Sequence, residues 1–181
     1  MPEYKVLKKQ NFYRKNYSLV PIRYEDRYFI MQWRNEQMYH LRQNEPLTKE
    51  QQDLYFNNVV EPLFNVEKPI QILFSFLENK ICIGYGGLVH INWADKNAEI
   101  SFIMDTKFEK ERFEEIWLIY LDLIEQVAFN DIKLIKIFTY AFDLRPRLYT
   151  CLEKAGYRLE NTIEEANSRI IIHSKYKTCV K

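Results

Sequence analysis

From Ile70 the hydrophobic pattern of this 181-residue chain switches to a period of two and keeps it as far as Met104. Ile70, Ile72, Phe74 and Phe76 share one face, the polar Glu78-Asn79-Lys80 makes a turn, and a second apolar run covers 81–91. Asp95-Lys96-Asn97 makes another turn, after which Ala98, Ile100, Phe102 and Met104 alternate with Glu99, Ser101 and Ile103. Side chains alternate across a strand, so this stretch reads as a three-strand antiparallel meander. Next, Phe113, Ile116, Trp117, Tyr120, Leu121, Ile124, Val127 and Ala128 recur at helical spacing over about five turns. A meander and a helix that must each bury an apolar face restrict the chain to a layered α/β arrangement.

The flanking segments fit that arrangement. Residues 18–24 read as a short strand, and 25–37 as a helix with Tyr28, Phe29, Met31 and Trp33 as its apolar stripe. After an irregular 38–46, Thr48 and Gln51 have capping-box spacing ahead of Leu54, Tyr55 and Val59, which predicts a second helix ending near Pro62. Residues 132–140 form an apolar strand expected to be covered on both faces, and 144–155 a helix stopped by Gly156. Residues 157–159 and 169–173 complete two more strands. The expected architecture is a single domain over 1–181, with a mixed central sheet of about seven strands and about four helices.

Lysine plus arginine number 26 and aspartate plus glutamate 25, so no overall charge draws the chain to nucleic acid or an anionic membrane. Residues 1–15 are polar and basic without an apolar core, and no stretch has the length of a membrane span, so the expected location is the cytoplasm. Cys82, Cys151 and Cys179 lack metal-site or redox spacing; Cys82 and Cys151 fall in apolar-periodic segments, where they read as small hydrophobes. No base and orienting residue accompany either as a nucleophile. Of only four glycines, Gly84, Gly86 and Gly87 are crowded into one strand. Such glycines imply close approach of a ligand or another backbone, or a bulge.

Three strings carry a family resemblance. Lys80-Ile81-Cys82-Ile83-Gly84-Tyr85-Gly86-Gly87-Leu88 resembles the x-I-G-x-x-x-L strand of the GNAT N-acyltransferases. Asn97-Ala98-Glu99-Ile100-Ser101-Phe102-Ile103-Met104-Asp105 resembles the A-E-I-x-Y-x-I-D strand of that superfamily's Rim-like and amino-sugar branches, and Leu152-Glu153-Lys154-Ala155-Gly156-Tyr157 the L-E-K-x-G-F that closes the fold. The order of elements matches over nearly the whole chain. Trp33-Arg34-Asn35 and the run from Gly86 to Trp93 look like enzymes that acylate the amino group of a nucleotide-linked amino-deoxysugar, such as a dTDP-3-amino-3,6-dideoxyhexose. The resemblance implies direct transfer from an acyl-CoA, acetyl or a longer hydroxyacyl, with no metal, and is compatible with a homodimer. It leaves two rivals, a Rim-like protein or peptide N-acetyltransferase and a degenerate fold serving as a binding module.

The second rival is motivated by a departure. Where the superfamily carries a glycine-rich R/Q-x-x-G-x-G/A pyrophosphate loop, this chain has Glu109-Lys110-Glu111-Arg112-Phe113-Glu114. Glycines there let backbone N–H groups approach the phosphates, whereas three glutamates repel an anion. Lys107, Lys110 and Arg112 are candidates to compensate by side-chain charge, or else they form a solvated first turn. Arg145 stands at a position that is usually asparagine and is the remaining coenzyme candidate.

Acyl transfer to an amine needs a proton acceptor, donors for the oxygen that gains charge, and an acid for the departing sulfur. Glu99 leads as base, because alternation places it opposite Ala98, Ile100 and Phe102 in the strand that resembles the coenzyme-flanking one; the alternative is a simple ion pair with a neighbouring strand. His90 is the second candidate, or a hydrogen-bonded structural histidine. Tyr149 stands in for the usual tyrosine acid, whose position is Leu152. By resemblance, the backbone of Ile103 and Met104 splays from the next strand and bonds the pantetheine. Arg34, Asn35, His40 and Arg42 fall where an acceptor pocket is expected, near Trp33, with Tyr85, Trp93 and Tyr55 as stacking surfaces or as core.

Overall fold

The computed structural model describes residues 2–165 and 168–178; Cys179 lies outside them. Eight strands form one sheet in the order β1-β2-β3-β4-β5-β6-β8-β7. They are β1 Phe12–Arg14, β2 Tyr17–Pro21, β3 Ile72–Glu78, β4 Ile81–Asn92, β5 Asn97–Met104, β6 Lys136–Phe142, β7 Arg158–Glu165 and β8 Ser168–Tyr176. The helices are α1 Arg27–Glu36, α2 Lys49–Tyr55, α3 Glu61–Leu63, α4 Thr106–Glu111, α5 Phe113–Glu125 and α6 Pro146–Lys154. The mixed α/β class is as expected, with one strand more than anticipated: the short β1, which pairs with β2.

The meander folds as its period requires, each member pairing antiparallel with the next. Its middle layer separates two cores. Ala98, Ile100, Phe102 and Met104 face α5, where Phe102 stacks on Tyr120 with ring centroids 3.7 Å apart and also meets Trp117 edge to face. Ile103 faces α1, with Ile22, Ile30, Trp33 and Tyr85. Aromatic pairs of this kind contribute about 0.5–1.5 kcal/mol beyond the area they bury. The buried stripe of α1 is Ile30 and Trp33, while Phe29, expected in it, is mostly exposed.

The glycines of β4 answer to protein neighbours. A Cβ at Gly86 would stand 2.1 Å from the Ser101 carbonyl oxygen and 2.6 Å from the Tyr120 hydroxyl. That notch lets the Tyr120 hydroxyl donate to Ser101 O at 2.8 Å, which ties α5 to the middle of β5. This strand carries two bulges, one against β3, where Phe76 pairs with Gly84 and Leu77 with Cys82, and one against β5 between Val89 and Asn92, where His90 takes the left-handed conformation with φ of 50°. One extra residue in one strand of an antiparallel pair breaks the ladder and re-aims the side chain at the insertion.

Helix boundaries follow local chemistry. Thr48 Oγ1 accepts from Gln51 N–H while the Gln51 side chain accepts from Thr48 N–H, the predicted reciprocal cap. Gly156, at φ of 86°, follows α6 in the left-handed conformation that ends helices. Strand β6 begins later than expected and is buried only through Ile137 and Thr139. Its other face is half-open for the reason given next.

Candidate active site

Strands β5 and β6 run parallel but pair only at Asn97 with Lys136, Ala98 with Ile137 and Glu99 with Phe138. Beyond Glu99 they diverge, so β5 from Ile100 to Met104 has no β6 partner, and a V-shaped cleft opens between them. Glu99 to Ile103 line one wall and Thr139 to Phe142 the other; Trp117 and Leu148 contribute from α5 and α6, and Arg34, His40, Leu41, Arg42 and Arg145 from the remaining sides. The cleft has a volume of about 160 Å³. A second hollow of about 220 Å³ adjoins it, lined by α1 and α2 with Tyr55, Phe56 and Tyr85, and shares Arg34 with it.

Glu99 sits at the closed end of the V and is 5% exposed. Its carboxylate pairs with Arg42, and the other oxygen stands 3.5 Å from His90 Nδ1. The bulge at His90 is what turns that largely exposed imidazole toward Glu99. Arg42 is delivered from the segment after α1, which is stapled down. Asn35 bonds Leu47 N–H and Leu47 O, and Gln43 bonds Asn35, Arg34 and Glu45 O. The Arg42 guanidinium also lies 5.0 Å from the Tyr140 ring centroid. Arg34 donates to the Tyr85 hydroxyl at 2.6 Å, on the border between the two hollows.

Gln37, which the sequence did not single out, ties α1 to the end of β5. Its side-chain nitrogen donates to Met104 O at 2.8 Å and to Thr106 Oγ1, and its oxygen lies 3.3 Å from His40 Nε2. Burial first, and the charge of Arg145 second, push the His40 pKa down to about 3, so its ring is neutral near neutral pH.

The structure brings together Glu99, His90, Arg34, His40, Arg42, Ile103, Arg145 and, across the shared wall, Tyr85. It separates the others. Tyr149 spends its hydroxyl on Asp143 at 2.9 Å and stacks on His173; burial and then that carboxylate push its pKa well up. It does not line the cleft, nor does Met104, whose side chain is core and whose carbonyl already accepts from Gln37. Trp33 is core, Asn35 is the staple, and Trp93 donates to Pro69 O. Arg112 is bound to Glu78, Glu115 and Tyr17, outside the cleft.

The glycine-free entrance is rebuilt as helix. Asp105 caps α4 by accepting from Lys107 N–H, so the backbone there faces a carboxylate of the chain itself. Glu109 is buried rather than repelling from the surface: Arg147 lies 3.0 Å and Arg145 3.7 Å from it. Burial raises its pKa, and the two guanidiniums work against that rise. Burial likewise pushes the Cys82 thiol up to about 12 and that of Cys151 to about 11, away from thiolate chemistry. Among the described residues, no group of three or more His, Cys, Asp or Glu is placed to hold a metal, and no helix is long and apolar enough to cross a membrane.

Trp117 and Thr139 also line the cleft, although the sequence did not single them out. Each had a sequence trace, an indole N–H within an apolar helical stripe and a hydroxyl within an apolar strand, but both patterns read first as core.

The sequence model of the acetyltransferase (GNAT) domain family matches residues 19–170. The chain belongs to that family and is an acyl-CoA-dependent N-acyltransferase. No curated protein sequence matches it. Among solved structures it is similar in fold to spermidine N-acetyltransferase from Vibrio cholerae in complex with CoA and spermine, with a TM-score of 0.72 and 18% identity over 90% of this chain and 96% of that one. It is similar also to a dodecameric form of spermidine N-acetyltransferase from Vibrio cholerae, with a TM-score of 0.68 and 17% identity over 90% and 95%.

Proposed function

We propose that the protein acylates the primary amine of a small anionic acceptor, an amino-deoxysugar joined to a nucleotide, in a ternary complex with acyl-CoA. The observation that carries this reading is the charge of the cleft: among the described residues Glu99 is the single acidic one in its lining, which also holds Arg34, Arg42 and Arg145. Cations so placed favour an acceptor bearing phosphates and oppose one bearing several ammonium groups.

In the reaction, Glu99 accepts the proton that the amine nitrogen loses as it bonds to the acyl carbon. The carbon–sulfur bond breaks, the sulfur departs with its electron pair, and a proton from solvent restores the thiol. Arg42 must withdraw from Glu99 for the amine to reach it, and its long, half-exposed side chain permits that movement. His90, 3.5 Å away and open to water, provides a route for the proton to leave. Wall residues Ile100 to Ile103 offer backbone groups that β6 does not use, Arg34 and Arg145 supply charge for acceptor and coenzyme, and Lys107 and Lys110 stand at the α4 entrance as further coenzyme contacts.

A polyamine acceptor is the second reading, favoured by the activity named for the structural neighbours. A panel of a dTDP-amino sugar, spermidine and a peptide with a free N-terminus, each assayed with acetyl-CoA and a 3-hydroxyacyl-CoA, separates the cases. Turnover of spermidine without turnover of the amino sugar overturns the anionic acceptor, and turnover of the peptide alone establishes the Rim-like rival. Absence of acyl-CoA binding in calorimetry overturns the whole reading.

A further inference from the structure

The two oxygens of the Glu99 carboxylate have neighbours of different kinds. Oε2 stands 3.5 Å from His90 Nδ1, a ring aimed by the backbone bulge. Oε1 is held by Arg42, and among the described residues Glu99 is the one hydrogen-bond partner of that guanidinium. The other arginines of the lining are engaged elsewhere: Arg34 donates to Gln43 and to the Tyr85 hydroxyl, and Arg145 lies 3.7 Å from Glu109.

The register places Arg42 across the vertex of the V. Glu99 is the last residue of β5 to pair with β6, opposite Phe138, so Tyr140, two residues further along β6, faces the same side of the sheet as Glu99. The guanidinium pairs with Glu99 and lies 5.0 Å from the Tyr140 ring, and thus reaches from one wall to the other. The Arg42 side chain is 49% exposed and that of Glu99 6%, so solvent meets the arginine before the carboxylate.

A carboxylate able to take a proton from an amine can also take one from water. The water oxygen then bonds to the acyl carbon, the carbon–sulfur bond breaks, the sulfur departs with its electron pair and takes up the proton, and the products are a free acid and the thiol. The acyl group is lost without transfer. A guanidinium stays protonated and has no acceptor, so Arg42 cannot promote this reaction itself.

We infer that Arg42 guards the base: it shields Glu99 from water while acyl-CoA waits for its acceptor, and so selects the amine over water as the group that takes the acyl. This rests on the acyltransferase reading above, with Glu99 as proton acceptor. Arg42 acts through Glu99 and is a specificity-determining residue. The cover is exchangeable because it is a single ion pair on a half-exposed side chain, and an acceptor bearing phosphates offers the guanidinium another partner.

Release of the thiol from saturating acetyl-CoA with no acceptor present tests the guard, at about pH 8, well above the carboxylate range. The proteins are wild type, Arg42→Ala, Arg42→Gln, and Arg42→Ala combined with Glu99→Gln. Both single variants are expected to hydrolyse acetyl-CoA about tenfold faster than wild type, less than the ~100-fold that a fully engaged base supplies. The double variant should return to the wild-type rate or below, a dependence on Glu99 that general damage to the cleft would not produce. Hydrolysis no faster than wild type in the folded single variants overturns the guard, while acyl transfer by wild type leaves the acyltransferase reading intact. A gain that survives in the double variant also overturns it, since water is then activated without Glu99. Failure of wild type to bind acetyl-CoA in calorimetry overturns the reading and the guard together.

Discussion

Glu99 and Glu109 are ten positions apart and nearly equally buried, at 5% and 4% exposure, and each meets arginine. Their settings differ. Glu99 has one arginine on a half-exposed side chain, a histidine reached through a bulge, and an opening into the cleft. Glu109 is held by two guanidiniums and faces no cavity that Glu99 lines. The difference that supports a reactive role for Glu99 in the proposed function is its opening into the cleft, whereas Glu109 is shared between two guanidiniums, of which Arg145 is itself largely buried.

The largest effect should come from Glu99→Gln. Loss of the proton acceptor is expected to lower kcat by about 100-fold or more, while the thermal midpoint stays within a few degrees. A variant that turns over at the wild-type rate removes Glu99 from the reaction. Glu109→Ala should invert the pattern, costing about 2–3 kcal/mol in denaturant unfolding by stranding Arg145 and Arg147, with kcat of the folded enzyme changed only a few-fold. Equal losses of turnover in both variants would erase the distinction.

His40 joins the two settings, because the same Arg145 that approaches Glu109 helps hold its ring neutral. The unfolded chain takes up a proton at this histidine near pH 6.5 and the folded one only near pH 3. Its contribution is therefore complete above about pH 6.5 and lost as pH falls toward 3, with a slope of up to about 1.4 kcal/mol per pH unit. Equilibrium unfolding of His40→Gln across that window should show a shallower acid dependence than wild type; identical slopes would refute the neutral ring. The smallest expected change is Arg42→Ala, about fivefold in the acceptor KM. Its sign is informative: a rise for an anionic acceptor fits the proposed function, and a fall for spermidine fits the polyamine reading.

The sequence was most legible where a period met a geometric demand. The alternation from Ala98 to Met104 put Glu99 on the face opposite Ala98, Ile100 and Phe102, the Thr48 and Gln51 spacing gave the cap of α2, and Gly156 gave the end of α6. Legibility failed where a residue type has two uses. Trp93 and Asn35 are polar-tipped residues whose partners, Pro69 O and the Leu47 backbone, are set by distant chain. Arg112 looks like a phosphate ligand until the fold supplies Glu78 from another strand. Helix α4 escaped as a separate element because the family pattern directs attention to absent glycines, while the Asp105 cap that starts it is visible in the sequence.

The divergence of β5 from β6 leaves one edge of β5 open in the middle of an eight-stranded sheet rather than at its margin, while its other edge pairs with β4. Exposed margins invite other chains to add on. This one lies within a cleft whose lining includes His40, Arg42 and Trp117, so it is not presented as a margin is. The fold has kept the adhesive property of a sheet edge and moved it from the margin of the sheet into an internal cleft.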